Sequence, residues 1–266
     1  MIQLAHLPVS RDLRALFGPL FESAEHCQEL TGTMAGAFFS QGRRHGIPRF
    51  LFEGPRAEQD PIRLGLFAGV HGDEPAGCAA LVDLLCDLVH NPAKATGYDL
   101  VVYPVCNPTG FEDSTRANRS GLDLNREFWR GSSQPEIIIL ENELRAHRFD
   151  GIITLHADDT SDGLYGYAHG RVLNEALLKP ALCASEQVLP RNRSGVIDGF
   201  EAEEGVIHRC FGGVLSAPRE QRPQPFDLIF ETPARAPHDL QVLACVAALE
   251  TIFGEYRGFI AHAQYL

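Results

Sequence analysis

Five short apolar runs punctuate the chain, Arg49 to Phe52, Ile62 to Val70, Tyr98 to Cys106, Gly151 to Leu155 and Phe226 to Phe230. Each is rich in Val, Ile, Leu or Phe and reads as a buried strand. Between them the spacing of apolar positions predicts helices at about Pro75 to Val89, Pro135 to His147, Val172 to Leu182 and His238 to Glu255, with another around Arg11 to Phe21. Pro135 and Pro75 suit a first helical turn, where a missing N–H costs little, Asp73 is placed to cap the helix from Pro75, and Asn91-Pro92 to end it. Strands alternating with helices imply an α/β fold, a single domain with a mixed, mostly parallel sheet covered by helices on both faces. Residues 107–134 and 186–225 are rich in Gly, Pro, Arg and Ser and read as long loops of that domain; loops of such length usually serve function. Residues 1–45 form an N-terminal element of unclear role in the same domain, and 46–266 its main body.

Composition narrows the partners. The 266 residues are 44% hydrophobic and 22% charged, ordinary for a folded chain with a sizeable core. Acidic residues outnumber basic ones by 35 to 23, and a net charge of -12 would repel a phosphate backbone, so nucleic acid is not an expected partner. No apolar run approaches the roughly 18 to 20 residues that span a bilayer, so no membrane partner is expected, and the N-terminus lacks the pattern of a secretory signal. Seven scattered cysteines without a Cys-x-x-Cys pair read as reduced, mostly buried thiols, which favours a cytoplasmic location. Nothing in the sequence indicates an oligomeric state.

Chemistry collects where the apolar runs end. The run from Ile62 terminates in His71-Gly72-Asp73-Glu74, putting an imidazole and a carboxylate three residues apart at a strand-to-helix turn that Gly69 and Gly72 would permit. His-x-x-Glu alone is as compatible with a surface turn. The run from Gly151 delivers His156 in the same way, and two histidines with one glutamate compose a tetrahedral zinc site whose fourth position is left to water. Zinc would acidify that water and polarise a carbonyl. The run from Phe226 ends in Glu231-Thr232-Pro233, where Glu231 is placed either as a general base for that water or as a simple strand-end carboxylate. Residues 107–130 gather Arg116, Arg119, Arg126 and Arg130; Arg116 suits an oxyanion, and Asn125 with Arg126 suits a substrate carboxylate, unless these arginines merely pair with Asp113, Asp123 and Glu127. There is no Gly-x-Ser-x-Gly and no phosphate-binding Gly-rich loop, which disfavours serine hydrolase and nucleotide-binding readings.

Taken in order, HGDE at 71–74, NPTG at 107–110, TRANRSGLDLNR at 115–126, the strand-borne His156 and IFETP at 229–233 resemble the carboxypeptidase A-like zinc peptidase family. The resemblance extends to its compact bacterial murein peptide amidase branch and to the succinylglutamate desuccinylase/aspartoacylase branch. It implies a zinc carboxypeptidase-like fold over 46–266 and one zinc ion held by His71, Glu74 and His156. It further implies Arg116 polarising the scissile carbonyl, Asn125 and Arg126 binding the substrate carboxylate, and Glu231 as the catalytic glutamate. The implied activity is hydrolysis of an amide or peptide bond beside a free carboxylate, as in a metallocarboxypeptidase or peptide amidase. The alternative is an N-acyl amino acid deacylase acting on an acyl amino acid, and more distantly a non-catalytic zinc- or carboxylate-binding protein. The spacing from Arg116 to Arg126 tilts towards peptides. One departure stands out: the family peptidases carry a loop tyrosine upstream of the catalytic glutamate, and none lies between Tyr167 and Glu231, leaving Tyr165, Tyr167 and His208 as candidate substitutes.

Overall fold

A computed structural model describes residues 11–263. Ten strands form one sheet in the order β1-β2-β4-β3-β5-β10-β6-β9-β8-β7. Its centre is β4 (Tyr98–Tyr103), β3 (Ile62–Ala68), β5 (Gly151–Asp158) and β10 (Phe226–Pro233), four neighbours that run parallel. Their side chains alternate between two apolar layers: Leu64 and Leu66 of β3 and Leu100 and Val102 of β4 face one, Phe67, Val101 and Tyr103 the other. The first layer is covered by α1 (Leu13–His26), α2 (Pro75–His90) and α7 (His238–Ala263), the second by α4 (Pro135–His147). The sheet is therefore mixed, α/β, and helix-covered on both faces, as the sequence implied, but it is not mostly parallel: the parallel pairing is concentrated in this centre, and the hairpins that flank it are antiparallel.

The flanks pair antiparallel except for one parallel contact, β6 to β9 at Gly166 and Val206. On one side β1 (Leu30–Ser40) and β2 (Arg43–Glu53) form a hairpin that pairs with β4. On the other, β6 (Tyr165–Ala168) pairs with β10, and three short strands, β7 (Val196–Ile197), β8 (Phe200–Glu203) and β9 (Val206–Ile207), extend the edge. Strands β1 and β6 to β9, and all but the end of β2, have no apolar run to mark them in the sequence, because Gly-rich or half-exposed strands lack one: β1, LTGTMAGAFFS, buries only Leu30 fully. The 107–134 segment also holds α3 (Pro108–Asp113) and a 3₁₀ turn at Leu124–Arg126.

Predicted helices fall where expected, with local corrections. Helix α1 runs beyond the expected 11–21, and Asp12 caps it by accepting from the Arg14 amide at 2.9 Å. Asp73 does not cap α2; Glu74 takes the N-cap position without a side-chain cap, since its carboxylate is engaged elsewhere. The helix expected at 172–182 is built as α5 (Arg171–Leu173), one π turn (Asn174–Leu178) and α6 (Lys179–Ser185). All seven cysteines are free, but only Cys78, Cys106 and Cys245 are buried, so most are not core thiols; Cys183 is exposed. No helix among the described residues is long and apolar enough to cross a membrane.

Candidate metal centre

Parallel strands β3, β5 and β10 end side by side; His71 and Glu74 follow β3, whereas His156 lies within the last residues of β5 and Glu231 within those of β10. After Ala68 the chain turns through Gly69, at φ +61°, where other residues would be strained. It continues past Gly72, which is wedged so closely against Gly110 that a Cβ would lie 1.9 Å from the Gly110 carbonyl carbon. This turn places His71 and Glu74 over β5, whose His156 sits in direct parallel register with Glu231 of β10. Glu231 therefore does not follow its strand, as the apolar run suggested, but lies within it.

The three groups converge. His71 Nδ1 lies 2.6 Å from Glu74 Oε1, and His156 Nδ1 lies 2.9 Å from Glu74 Oε2, which also accepts from the Ala157 amide at 3.1 Å. One ligand atom from each lies within 4.8 Å of the others, an arrangement that could hold a metal ion. All three are buried, at 3%, 6% and 3% exposure, so a carboxylate there demands cationic or hydrogen-bonding partners. Two imidazole nitrogens and a carboxylate oxygen suit zinc with a position to spare. His71 Nε2 meets Asp123 Oδ1 at 3.0 Å, the outer carboxylate that commonly orients a metal-binding histidine. In the sequence Asp123 stands out only as an arginine's partner, a role it also fills, accepting from Arg116 Nε at 3.2 Å. Its signal was the D-L-N-R spacing, where Asp123 caps the 3₁₀ turn carrying Asn125.

Electrostatics reflect this crowding. Burial alone would lower the His71 pKa, but the Glu74 and Asp123 carboxylates against it outweigh burial and raise it to about 9. Burial would likewise raise Glu74, yet His71 and His156 hold it down at about 2. His156 is lowered by burial. Glu231 is raised well above the carboxylate range by burial, with Glu74, Asp158 and Asp198 adding repulsion.

A cavity of about 350 Å³ opens over the cluster, lined by His71, Glu74, Arg116, Asn125, Arg126 and Glu231 among others. Arg116 reaches Glu74 Oε1 at 3.4 Å, which puts its guanidinium at the cluster's edge. Asn125 Oδ1 accepts from the Leu215 amide at 2.9 Å, which turns the Asn125 Nδ2 donors towards the site, 3.5 Å from His156 Nε2. Arg126 lies under the Phe211 ring, 4.2 Å from its centroid, and donates to the Asn125 carbonyl at 2.9 Å. The other loop arginines point elsewhere: Arg119 pairs with Asp113 and Glu112, and Arg130 donates to the Gly212 carbonyl.

Beyond these the wall holds Asp158, Tyr165, Asp198 and Phe211, which no sequence motif singled out for the site except Tyr165 as a candidate substitute for the loop tyrosine. Tyr165 faces Glu231 across the β6–β10 pair and donates to Asp158 Oδ2 at 2.9 Å. Tyr167 also lines the cavity, whereas His208 is exposed and stands outside that lining. In the 208–217 segment the aromatic side chain facing the site is Phe211.

Comparison with known proteins agrees with this architecture. The catalytic-domain model of succinylglutamate desuccinylase/aspartoacylase matches residues 61–173, a span containing all three members of the buried cluster. The chain is 36% identical over 83 residues to murein peptide amidase A of Vibrio campbellii (strain ATCC BAA-1116), covering 31% of each protein. It is 32% identical over 116 residues to human carboxypeptidase D, a match of 37% of this chain and only 8% of that much longer one. A metallopeptidase-like crystal structure from Shewanella denitrificans OS217 superposes with a TM-score of 0.76 at 25% identity, over 92% of this chain and 90% of the other. A metallo-carboxypeptidase from Burkholderia cenocepacia shares the fold, with a TM-score of 0.71 at 14% identity over 92% and 68% of the two chains. The curated relatives are thus matched over a third of their length or less.

Proposed function

We propose that this chain, whose resemblance to the carboxypeptidase A-like zinc peptidases and the desuccinylase/aspartoacylase branch is borne out over its fold and central sequence, is a metal-dependent hydrolase of an amide bond beside a free carboxylate. The observation that carries the reading is the placement of Glu231 in strand register beside His156, lining the same cavity as His71 and Glu74. His71, Glu74 and His156 would hold one zinc ion, which when bound supplies a Lewis acid that polarises a carbonyl and acidifies water.

The chain's own residues do the rest. Glu231, in register with His156 and lining the same cavity, takes a proton from the attacking water and returns it to the departing amine nitrogen. Arg116, held at the edge of the cluster by Asp123 and Glu74, offers a fixed positive charge to the oxygen that gains charge in the tetrahedral step. Asn125 presents its Nδ2 donors because Leu215 occupies its oxygen, and Arg126 offers a planar fork beside it, a pair suited to one carboxylate. That pair sets the distance between the free carboxylate and the bond that breaks.

A second reading, an N-acyl amino acid deacylase on the same residues, is favoured by the match of the desuccinylase/aspartoacylase model over 61–173. A purely binding role would leave Glu231 without a task. The test is a substrate panel with zinc-supplemented protein: peptides with a free C-terminal carboxylate, the same peptides C-terminally amidated, and N-acyl amino acids. Turnover of the free-acid peptides with loss on amidation is the expected result. Preferential turnover of N-acyl amino acids would move the assignment to the second reading, and equal turnover of amidated peptides would remove the carboxylate requirement.

A further inference from the structure

The metal-binding turn has an unusual anchor. Backbone carbonyls just before it are held by the neighbouring 106–107 segment: Ala68 accepts from the Cys106 amide at 3.0 Å, Gly69 from the Asn107 amide at 2.8 Å, and Val70 from the Asn107 side chain at 3.3 Å. The His71 carbonyl accepts a long bond from the Glu74 amide, at 3.4 Å. Gly72 instead accepts from a side chain 61 residues earlier: Arg11 Nη1 donates to its carbonyl at 2.6 Å. The Arg11 guanidinium also stands over the Phe111 ring, 5.1 Å from the centroid, and close enough to Asp73 to feel its charge.

Arg11 is itself held firmly. Asp12 caps α1 directly after it, and α1 is seated in the main core through Phe17 and Leu20, with Phe17 and Phe21 packed on Phe50 of β2 at 6.0 and 5.1 Å. The guanidinium thus links a helix anchored in the core to the one carbonyl midway between His71 and Glu74. On the other side, Gly110 blocks movement of Gly72. Held from both sides, the turn keeps the His71 and Glu74 side chains aimed at one point.

We propose that Arg11 is a positioning residue for the metal site: by fixing the Gly72 carbonyl it sets the spacing of His71 and Glu74 and hence the affinity for a divalent cation. This gives the N-terminal element a role, and it rests on the reading of His71, Glu74 and His156 as metal ligands. Groups that orient ligands from outside the coordination sphere commonly change metal affinity about 10- to 100-fold.

The experiment is a zinc competition titration against a chromophoric chelator with wild type, Arg11→Ala and Arg11→Lys, alongside thermal unfolding of each metal-free form. The expected result is a zinc Kd raised about 10- to 100-fold in Arg11→Ala and partly restored in Arg11→Lys, which keeps a donor for Gly72. Arg11→Gln serves in place of the alanine variant if that one does not fold. A wild-type Kd in the folded variant, with or without a lower unfolding temperature, would overturn the proposal and leave Arg11 a purely structural residue. Absence of zinc binding by the wild type would overturn the metal-site reading together with this one, so the two failures are distinguishable.

Discussion

The centre of the sheet and its β6–β9 flank meet in one cavity but are built differently. At the centre, β3, β5 and β10 are seven or eight residues long, and β3 and β5 are paired on both sides by parallel neighbours. His71, Glu74 and His156 are buried there and locked to one another. The flank is made of strands of two to four residues around a cluster of three buried side chains, Tyr165, Ile197 and Ile207, and leads into the long 208–225 segment. Under the proposed function the difference teaches a division of labour: chemistry, which needs geometry fixed to a fraction of an ångström, would occupy the rigid centre, and substrate selection the thinner wall.

That division predicts where substitutions act. The largest effect is expected at the centre. Glu231→Gln should lower kcat about 10²- to 10⁴-fold while leaving zinc content at the wild-type level, as measured by steady-state kinetics and metal analysis. A normal kcat would place proton transfer outside the centre and break the comparison.

A smaller effect is expected at the seam, where Asp227 of β10 accepts from the Ala217 amide at 2.9 Å and so ties the centre to the flanking segment. Burial pushes the Asp227 carboxyl up to about 6. Its native pKa lies above the unfolded value of about 3.9, so its stabilising contribution is complete below about pH 4 and is lost as pH rises through about 6. Asp227→Asn should abolish that decline, worth up to about 3 kcal/mol between pH 4 and pH 7, in denaturant unfolding followed across pH. An unchanged pH profile would show the seam to be electrostatically indifferent.

The smallest effect is expected within the flank. Phe211→Ala removes the ring over Arg126, a cation–π contact worth about 0.5 to 1 kcal/mol at such an exposed site. KM for a free-carboxylate substrate should rise about two- to fivefold with kcat unchanged, since under the proposed function the ring orients a binding group rather than a reacting one. A fall in kcat instead would mean that the flank takes part in chemistry.

The same contrast decides what could be read from sequence. His71, Glu74, His156 and Glu231 were legible because each lies at or beside the end of an apolar run, so the run fixed its place at the carboxyl edge of the sheet. Asp123 was visible only as an acidic residue among arginines; its contact with His71 depends on how a loop folds back across 52 residues. Strands β7, β8 and β9 were not legible because two- to four-residue strands carry no periodicity. Phe211 offered no motif, and its position over Arg126 arises from contacts distant in sequence: Arg130 on the Gly212 carbonyl and the Phe128 amide on that of Gly213. The capping role assigned to Asp73 failed because Glu74, needed over His156, begins α2 itself.

The central claim, a metal held by His71, Glu74 and His156 and required for amide hydrolysis, is tested most directly by measuring metal stoichiometry and turnover together during chelation and zinc titration. The expected result is turnover that disappears on chelation and returns in proportion to added zinc, saturating at one ion per chain, with His156→Ala failing to recover. Full turnover in metal-free protein, or one zinc bound per chain in a His71, Glu74 and His156 triple-alanine variant, would contradict it.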